Sequence, residues 1–325
     1  MKQPGYALII SRNGQTLYQQ YEGYADIENN QIISRSTKFR LASLTKPFTA
    51  MLILKLIDDK LVKLDDTLNR FFPELPNWKY KVSVENLLNH TSGIKDYEKI
   101  LAKNKYKKGS EPTNQEAISV ISCFDKLIFK PSQMQVYSES GYVLLAEIIK
   151  RVGGSSYSKQ LNTIIFQPMK MDNTLVYENS TAVFDNRAMG YRFAKGKYTI
   201  YDYNPLNYVI GNEGVYSSAQ DLGKWTSAWF SEKIISSYLI DKSFSKTQLL
   251  SGTIADRGYS FILDKYGSDK IVYHGGSWVG FRCMLVLIPS QKLSGVFLSN
   301  STDYDKETKR LIMLINNLSK FSNAI

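Results

Sequence analysis

The sequence predicts an α/β protein in which an antiparallel sheet flanked by helices is assembled from both ends of the chain around a mainly helical insertion. Three observations carry this expectation. Strand-rich runs open the chain, helix-start and helix-stop signals crowd its middle, and strand-rich runs return near its end. At 325 residues and 43% hydrophobic content the chain is long enough for one large domain or two interlocked ones. Residues 1–60 and 200–325 are expected to form a discontinuous sheet domain and residues 61–199 a mainly helical one.

Element by element, Tyr6 to Ser11 and Thr16 to Tyr21 are β-rich and joined through Asn13-Gly14, which suits a tight hairpin turn. Phe48, Met51, Leu52, Ile53, Leu54, Leu56 and Ile57 then form a helix apolar almost all round, as in the middle of a domain. Ser83 precedes a helical Val84 to Leu88, and Thr113-Asn114-Gln115-Glu116 is a capping box. Gly141 to Val152 is helical and stopped by Gly153-Gly154. Ser218-Ala219-Gln220-Asp221 is a second capping-box candidate before Leu222 to Phe230. Strands are expected at Tyr259 to Leu263, Ile271 to His274, Phe281 to Ile288 and Leu293 to Ser299, the last two joined by a turn at Pro289-Ser290-Gln291-Lys292. Thr308 to Leu318 reads as a closing amphipathic helix.

Composition excludes several functions. No run of about 18 apolar residues occurs, so no transmembrane helix is expected, and Met1-Lys2-Gln3-Pro4-Gly5 lacks the apolar stretch of a signal peptide. Two isolated cysteines, Cys123 and Cys283, suggest neither a disulfide framework nor a metal site, and two histidines exclude a histidine-rich zinc site. No metal site is therefore expected, and no sequence feature implies an organic cofactor. The net charge of +11 favours anionic polymers, membrane surfaces or cell-wall material as neighbours. Nucleic acid is not the expected partner, because the lysines are spread out and no recognition motif occurs. The densest run, Lys103, Lys105, Lys107 and Lys108, reads as a solvated loop.

The chemistry starts at Ser43-Leu44-Thr45-Lys46. A serine and a lysine three apart at a helix start share one face, so the amine of Lys46 reaches the hydroxyl of Ser43, and the helix N-terminus favours negative charge developing there. Pro47 falls where the first turn tolerates a missing N–H. The same spacing recurs at Ser92/Lys95, Ser156/Lys159 and Ser243/Lys246. Those three lie in a turn, after paired glycines and in a polar run, and read as solvent-exposed.

A nucleophile of this kind needs a proton relay and donors for an oxyanion. Tyr137-Ser138-Glu139 places a tyrosine just before a helix start, where Lys46 would hold down its pKa and let it pass a proton to a leaving group. In His274-Gly275-Gly276-Ser277 an apolar strand ends in glycines that let a substrate lie against the edge, and the backbone N–H of Ser277 would join that of Ser43 as an oxyanion hole. Singly, each phrase has a bland reading, a packing tyrosine and an ordinary turn.

Together and in this order the three phrases resemble the motifs of the class C β-lactamase and penicillin-binding-protein superfamily of serine hydrolases. Leu87 to Ile94, Tyr142 to Leu145, Gly211 to Ser218 and Gly275 to Asn300 are similar to family segments too, so the likeness covers nearly the whole chain. It implies a β-lactamase/transpeptidase-like fold with the active site in the cleft between the two domains, and an acyl-enzyme formed on Ser43, with Lys46 and Tyr137 moving the proton. His274, Gly275 and Gly276 would line the substrate site. His274 stands where many relatives carry lysine, to assist Tyr137 electrostatically or to orient substrate; His90 is implied to be structural.

One position departs from the pattern. The second motif usually ends in asparagine, and here it ends in Glu139, which when ionised accepts hydrogen bonds but cannot donate them. Paired with Lys46 it would raise that amine's pKa and weaken it as a base; turned outward it would change nothing. Glu139 is accordingly expected to bind a cationic group of the substrate, such as the ammonium of a D-amino acid ester or amide. The expected activity is hydrolysis of ester or peptide bonds in D-amino-acid or wall-derived compounds. The alternatives are a genuine β-lactamase and a slowly turning over penicillin-binding receptor. The resemblance implies export to the bacterial envelope, where the basic charge fits association with anionic wall polymers, although the chain shows no leader.

Overall fold

The computed structural model describes residues 2–104, 111–179 and 183–304. The expected helix Thr308 to Leu318, and Lys105, Lys107 and Lys108 of the basic run, lie outside the described residues. In chain order the strands are β1 (Tyr6–Arg12), β2 (Gln15–Glu22), β3 (Tyr24–Asp26), β4 (Gln31–Ile32), β5 (Phe39–Arg40), β6 (Thr174–Val176), β7 (Tyr191–Ala194), β8 (Lys197–Ile200) and β9 (Val215–Ser217). They continue as β10 (Ile262–Tyr266), β11 (Asp269–Trp278), β12 (Phe281–Ile288) and β13 (Leu293–Ser299). The helices are α1 (Lys46–Asp58), α2 (Val84–Leu88), α3 (Glu98–Leu101), α4 (Asn114–Ser122), α5 (Glu139–Gly153), α6 (Tyr157–Leu161), α7 (Ala219–Trp225) and α8 (Ser237–Ser243).

Six strands form the main sheet, in the order β10-β11-β12-β13-β1-β2 and antiparallel throughout. β1 joins the two ends of the chain, since Ile9 stands opposite Val296 on one side and Gln19 on the other. The hairpin between β1 and β2 turns where Asn13-Gly14 predicts it. Both residues adopt positive φ, 48° and 81°, as the favoured two-residue hairpin turn requires. Alternation along β1 sends Ala7 and Ile9 to the main core and Leu8 and Ile10 to a second apolar cluster on the opposite face with Val286 and Phe297.

α7 packs on β1 and β13, and α1 reaches α7 through Phe48, whose ring stacks on Trp225 at 3.8 Å. α5 packs on α1 in turn. α1 is thus enclosed by protein, and burying each of Phe48, Met51 and Leu52 stabilises the fold by about 1.5–3 kcal/mol. That enclosure, rather than amphipathicity, keeps the helix in place.

Four sequence expectations need correction. β10 begins at Ile262 rather than Tyr259, because Ser260 takes a left-handed φ of 71° and its N–H donates to Leu88 O. β11 does not stop at His274: Gly275 and Gly276 stay in the ladder opposite Met284 and Cys283, and the strand ends at Trp278. Ser218 caps α7 by accepting from Asp221 N, but the Asp221 carboxylate turns to Asn173 N and Thr174 Oγ1, so the box is half formed. Beyond Trp225 the α-helix tightens into a 3₁₀ turn, Thr226–Trp229. The capping boxes at Ser83 and Thr113 are complete, and Gly154 ends α5 in the left-handed conformation.

Candidate active site

Ser43 sits in the 3₁₀ turn Ala42–Thr45, which runs directly into α1. Ala42 holds a left-handed φ of 51°, which costs an alanine about 1–2 kcal/mol and is held by the packing around it. Leu41 N donates to Val215 O of β9, and β11 lies against the turn itself. A methyl group on Gly276 would collide with Leu41 O and stand 3.1 Å from Leu44 N. Glycine at 276 is what lets the strand and the nucleophile turn touch.

Lys46 is fully buried and its Nζ has three acceptors: Ser43 Oγ at 3.0 Å, Glu139 Oε2 at 2.6 Å and Asn212 O at 3.1 Å. Three donors for three acceptors is the bonding of an ammonium. Burial pulls the amine pKa down, but the charges and hydrogen bonds of Glu139 and Tyr137 more than offset it and leave the pKa raised. Glu139 therefore turns inward to Lys46, and does not point outward. Ser43 Oγ accepts from Lys46, which leaves its own proton free to point to Tyr137.

The Tyr137 hydroxyl lies within hydrogen-bonding reach of both Lys46 and Ser43. Lys46 alone does not set its acidity. Burial raises the phenol first, and despite the lowering by Lys46 the value stands at about 12, with Glu139 also raising it. The expectation that Lys46 holds this pKa down is corrected by that desolvation.

Carboxylates crowd the other side of Glu139. Asp96 accepts from the N–H groups of Glu139 and Ser140 at 3.3 Å each and so caps α5, a job the N-cap Ser138 side chain does not do. Burial and then Glu139 raise the pKa of Asp96. Burial, Glu139 and Asp96 push Glu98 to about 8, and burial followed by Glu139 carries Glu213 well above the carboxylate range. Asp96, Glu98 and Glu213 are site neighbours that sequence reasoning did not single out.

The two histidines differ. His90, at a left-handed φ of 60° after α2, accepts from Ser138 N at 3.2 Å and packs its ring 4.6 Å from that of Tyr137. Burial, then Lys46 and Arg257, keep it neutral, as befits a packing residue. His274 has Nδ1 2.7 Å from Gly275 O, and since a carbonyl only accepts, Nδ1 carries the proton. Burial, then Lys46 and Arg257, push its pKa to about 3. His274 is thus a neutral ring and offers no cation to assist Tyr137; its Nε2, buried and without a partner among the described residues, is an acceptor.

Ser43, Tyr137, Glu139, His274, Gly275, Gly276 and Ser277 line one cleft of about 500 Å³, together with Arg257. The other three SxxK pairs lie elsewhere. Ser92 and Ser243 are buried rather than exposed, the first accepting from Ile94 N and the second donating to Leu239 O. Ser156 caps α6 through Lys159 N.

The fold and the cleft are those of a β-lactamase-related serine hydrolase, and the family model described as Beta-lactamase matches residues 1–319. The chain belongs to the Beta-lactamase family. It is 30% identical to Penicillin-binding protein 4* of Bacillus subtilis, over 94% of this chain and 70% of that protein. It is 25% identical to protein flp of Staphylococcus aureus (strain MRSA252), over 91% of this chain, and spans 59% of flp's length. The solved D-amino acid amidase of Ochrobactrum anthropi superposes with a TM-score of 0.82 at 26% identity, covering 98% of this chain and 94% of that one. The β-lactamase/transpeptidase-like fold expected from the three motifs is the one observed.

Proposed function

We propose that this protein hydrolyses esters or amides through an acyl-enzyme on Ser43, and that it prefers substrates with a free ammonium, D-amino-acid and wall-derived compounds foremost. The carrying observation is Glu139, which lines the cleft and pairs with the buried Lys46. A resting enzyme whose base is an ammonium cannot take a proton from Ser43. An ammonium of the substrate that docks on Glu139 shares the carboxylate's charge, lowers the pKa of Lys46 and lets its proton leave to water. The free amine then accepts the Ser43 proton as the serine oxygen bonds to the scissile carbonyl carbon.

The N–H groups of Ser43 and Ser277 serve the oxyanion, and Tyr137 hands the proton to the leaving nitrogen or oxygen as its bond to carbon breaks. Water attacks the acyl-serine by the reverse relay and frees the acid. His274 orients the substrate by accepting from it. The D-configuration follows the likeness to the amidase, and the +11 charge supports attraction to anionic wall polymers.

The test compares amine-bearing esters with their N-acylated forms, in wild type and Glu139→Asn. The wild type is expected to favour the free amine about tenfold or more in kcat/KM, as for loss of one charged contact, and the variant to lose that preference. An unchanged preference rejects the reading. The protonated Lys46 also supports a second reading, an acyl-accepting receptor that turns over slowly. An adduct persisting for hours in intact-protein mass spectrometry, instead of rapid loss, would favour it.

A further inference from the structure

Tyr137 lies outside any helix or strand, so no regular ladder fixes it. The irregular segment 128–138 that ends with it is instead laced along the bend 89–93 that follows α2. Ile128 N donates to Gly93 O at 2.8 Å, Ser132 N to Thr91 O at 2.9 Å and Gln135 Nε2 to Asn89 O at 2.9 Å. Around the tyrosine itself, both attachments fall on one residue. Val136 N donates to His90 O at 2.9 Å, and Ser138 N donates to His90 Nδ1 at 3.2 Å. The imidazole is 1% exposed, with its ring 4.6 Å from that of Tyr137 and 5.1 Å from that of Tyr142. Tyr142 is fixed in its turn, its hydroxyl donating to Leu88 O at 2.8 Å.

We infer that His90 is a positioning residue for the proton relay, holding Tyr137 by the backbone on either side and by the face of its ring. The inference rests on the chemistry proposed above, in which Tyr137 protonates the leaving group. The phenol hydroxyl sits at the far end of a long, rigid side chain, so a small rotation of the backbone is magnified where the proton moves. A misplacement of about 1 Å can cost 10²-fold in rate. His90 removes that freedom without touching substrate. Its Nδ1 holds Ser138 N only as an acceptor, so the proton sits on Nε2, the opposite tautomer to His274, whose Nδ1 donates to Gly275 O. The same ring thus serves in two ways: His274 lines the cleft, and His90 braces the tyrosine that works in it.

Leaving-group dependence reads this role, because a nitrophenolate departs without a proton whereas an alkoxide needs one. The experiment measures kcat/KM for the p-nitrophenyl, trifluoroethyl and ethyl esters of D-alanine in wild type, Tyr137→Phe, His90→Phe and His90→Asn. His90→Phe keeps a ring and loses the acceptor. His90→Asn restores an acceptor near the Nδ1 position and suits the left-handed φ of 60°. His90→Phe is expected to lower kcat/KM roughly 10–10²-fold for the ethyl ester and only about twofold for the nitrophenyl ester, approaching the steep dependence of Tyr137→Phe. His90→Asn should return most of the way to the wild-type dependence. Thermal melts check folding, and should His90→Phe fail to fold, His90→Gly, unstrained at this φ, takes its place. An equal fall for all the esters, or His90→Asn as steep as His90→Phe, overturns the inference. If Tyr137→Phe steepens the dependence while His90→Phe keeps that of wild type, the relay reading stands and this one falls. If Tyr137→Phe leaves the dependence unchanged, the relay reading fails and takes this inference with it.

Discussion

The two walls of the cleft handle charge in opposite ways. On the helical wall Lys46 spends three donors on Ser43, Glu139 and Asn212, and around it burial and the Glu139 charge raise the carboxyl pKa of Asp96, Glu98 and Glu213. On the strand wall β11 offers glycines and a neutral imidazole, and Arg257 lines the cleft with no carboxylate partner among the described residues. The difference follows from what each charge must do. A base has to change protonation state, so its pKa is set by burial and neighbours, whereas a guanidinium stays charged without help.

The largest effect is expected from Lys46→Met, which removes the amine from the helical wall while keeping its bulk. Acylation by an activated ester should slow roughly 10²–10⁴-fold in stopped-flow assays, the usual worth of a positioned base. A rate near wild type would place the base elsewhere.

Next comes Gly276→Ala, where the walls touch. The added methyl runs into Leu41 O, so overpacking of about 1–3 kcal/mol should lower the melting temperature and displace the Ser43 turn. Acylation should fall further than stability alone explains, and calorimetric melting with the same ester assay reads both.

Glu139→Gln is a smaller change with a defined sign. Glu139 raises the Lys46 pKa against burial, so its removal lets burial pull the value down with only Tyr137 opposing. Hydrolysis of a neutral, N-acylated ester should then reach half-maximal rate at lower pH, by about a unit or more. Because the raised Lys46 pKa contributes stability below the unfolded lysine value of about 10.4 and loses it as pH rises through the folded value, the stability gap to wild type should persist above neutral pH and close in strong alkali. Denaturant midpoints across pH check this.

Smallest is Glu98→Gln. A folded carboxyl pushed to about 8 from its ordinary value of 4.5 binds a proton that the unfolded chain has released, so wild-type stability falls as pH rises between those values. The variant should be more stable than wild type at pH 8 and no more stable at pH 4, as thermal melts at the two pH values would show.

How much of this was legible in the sequence depended on how local each feature is. Ser43 and Lys46 are three residues apart, so one helical turn brings them together, whereas the charge of Glu139 left two orientations open, paired with Lys46 or turned outward. The hairpin at Asn13-Gly14 and the stop at Gly154 were readable for the same reason, since backbone conformation is set by the residue itself. Asp96 and Glu98 look like ordinary solvated acids in Lys95-Asp96-Tyr97-Glu98, and only the docking of that segment on α5 takes them half out of water. Arg257 follows Asp256 and reads as half of a surface pair; Gln135, 122 residues away, fixes it in the cleft. Ser243 looked exposed among polar neighbours, but α8 turns it inward. The His274 tautomer depends on one carbonyl whose position no sequence pattern specifies.

The central claim is that Ser43 carries the acyl group. Acid-quenched intact-protein mass spectrometry after mixing with an activated ester of D-alanine, followed by peptide mapping, tests it directly. One added alanyl group is expected on the peptide containing Ser43, lost within the turnover time and absent from Ser43→Ala. An adduct on another residue, an adduct that survives in Ser43→Ala, or hydrolysis that continues in that variant would contradict it.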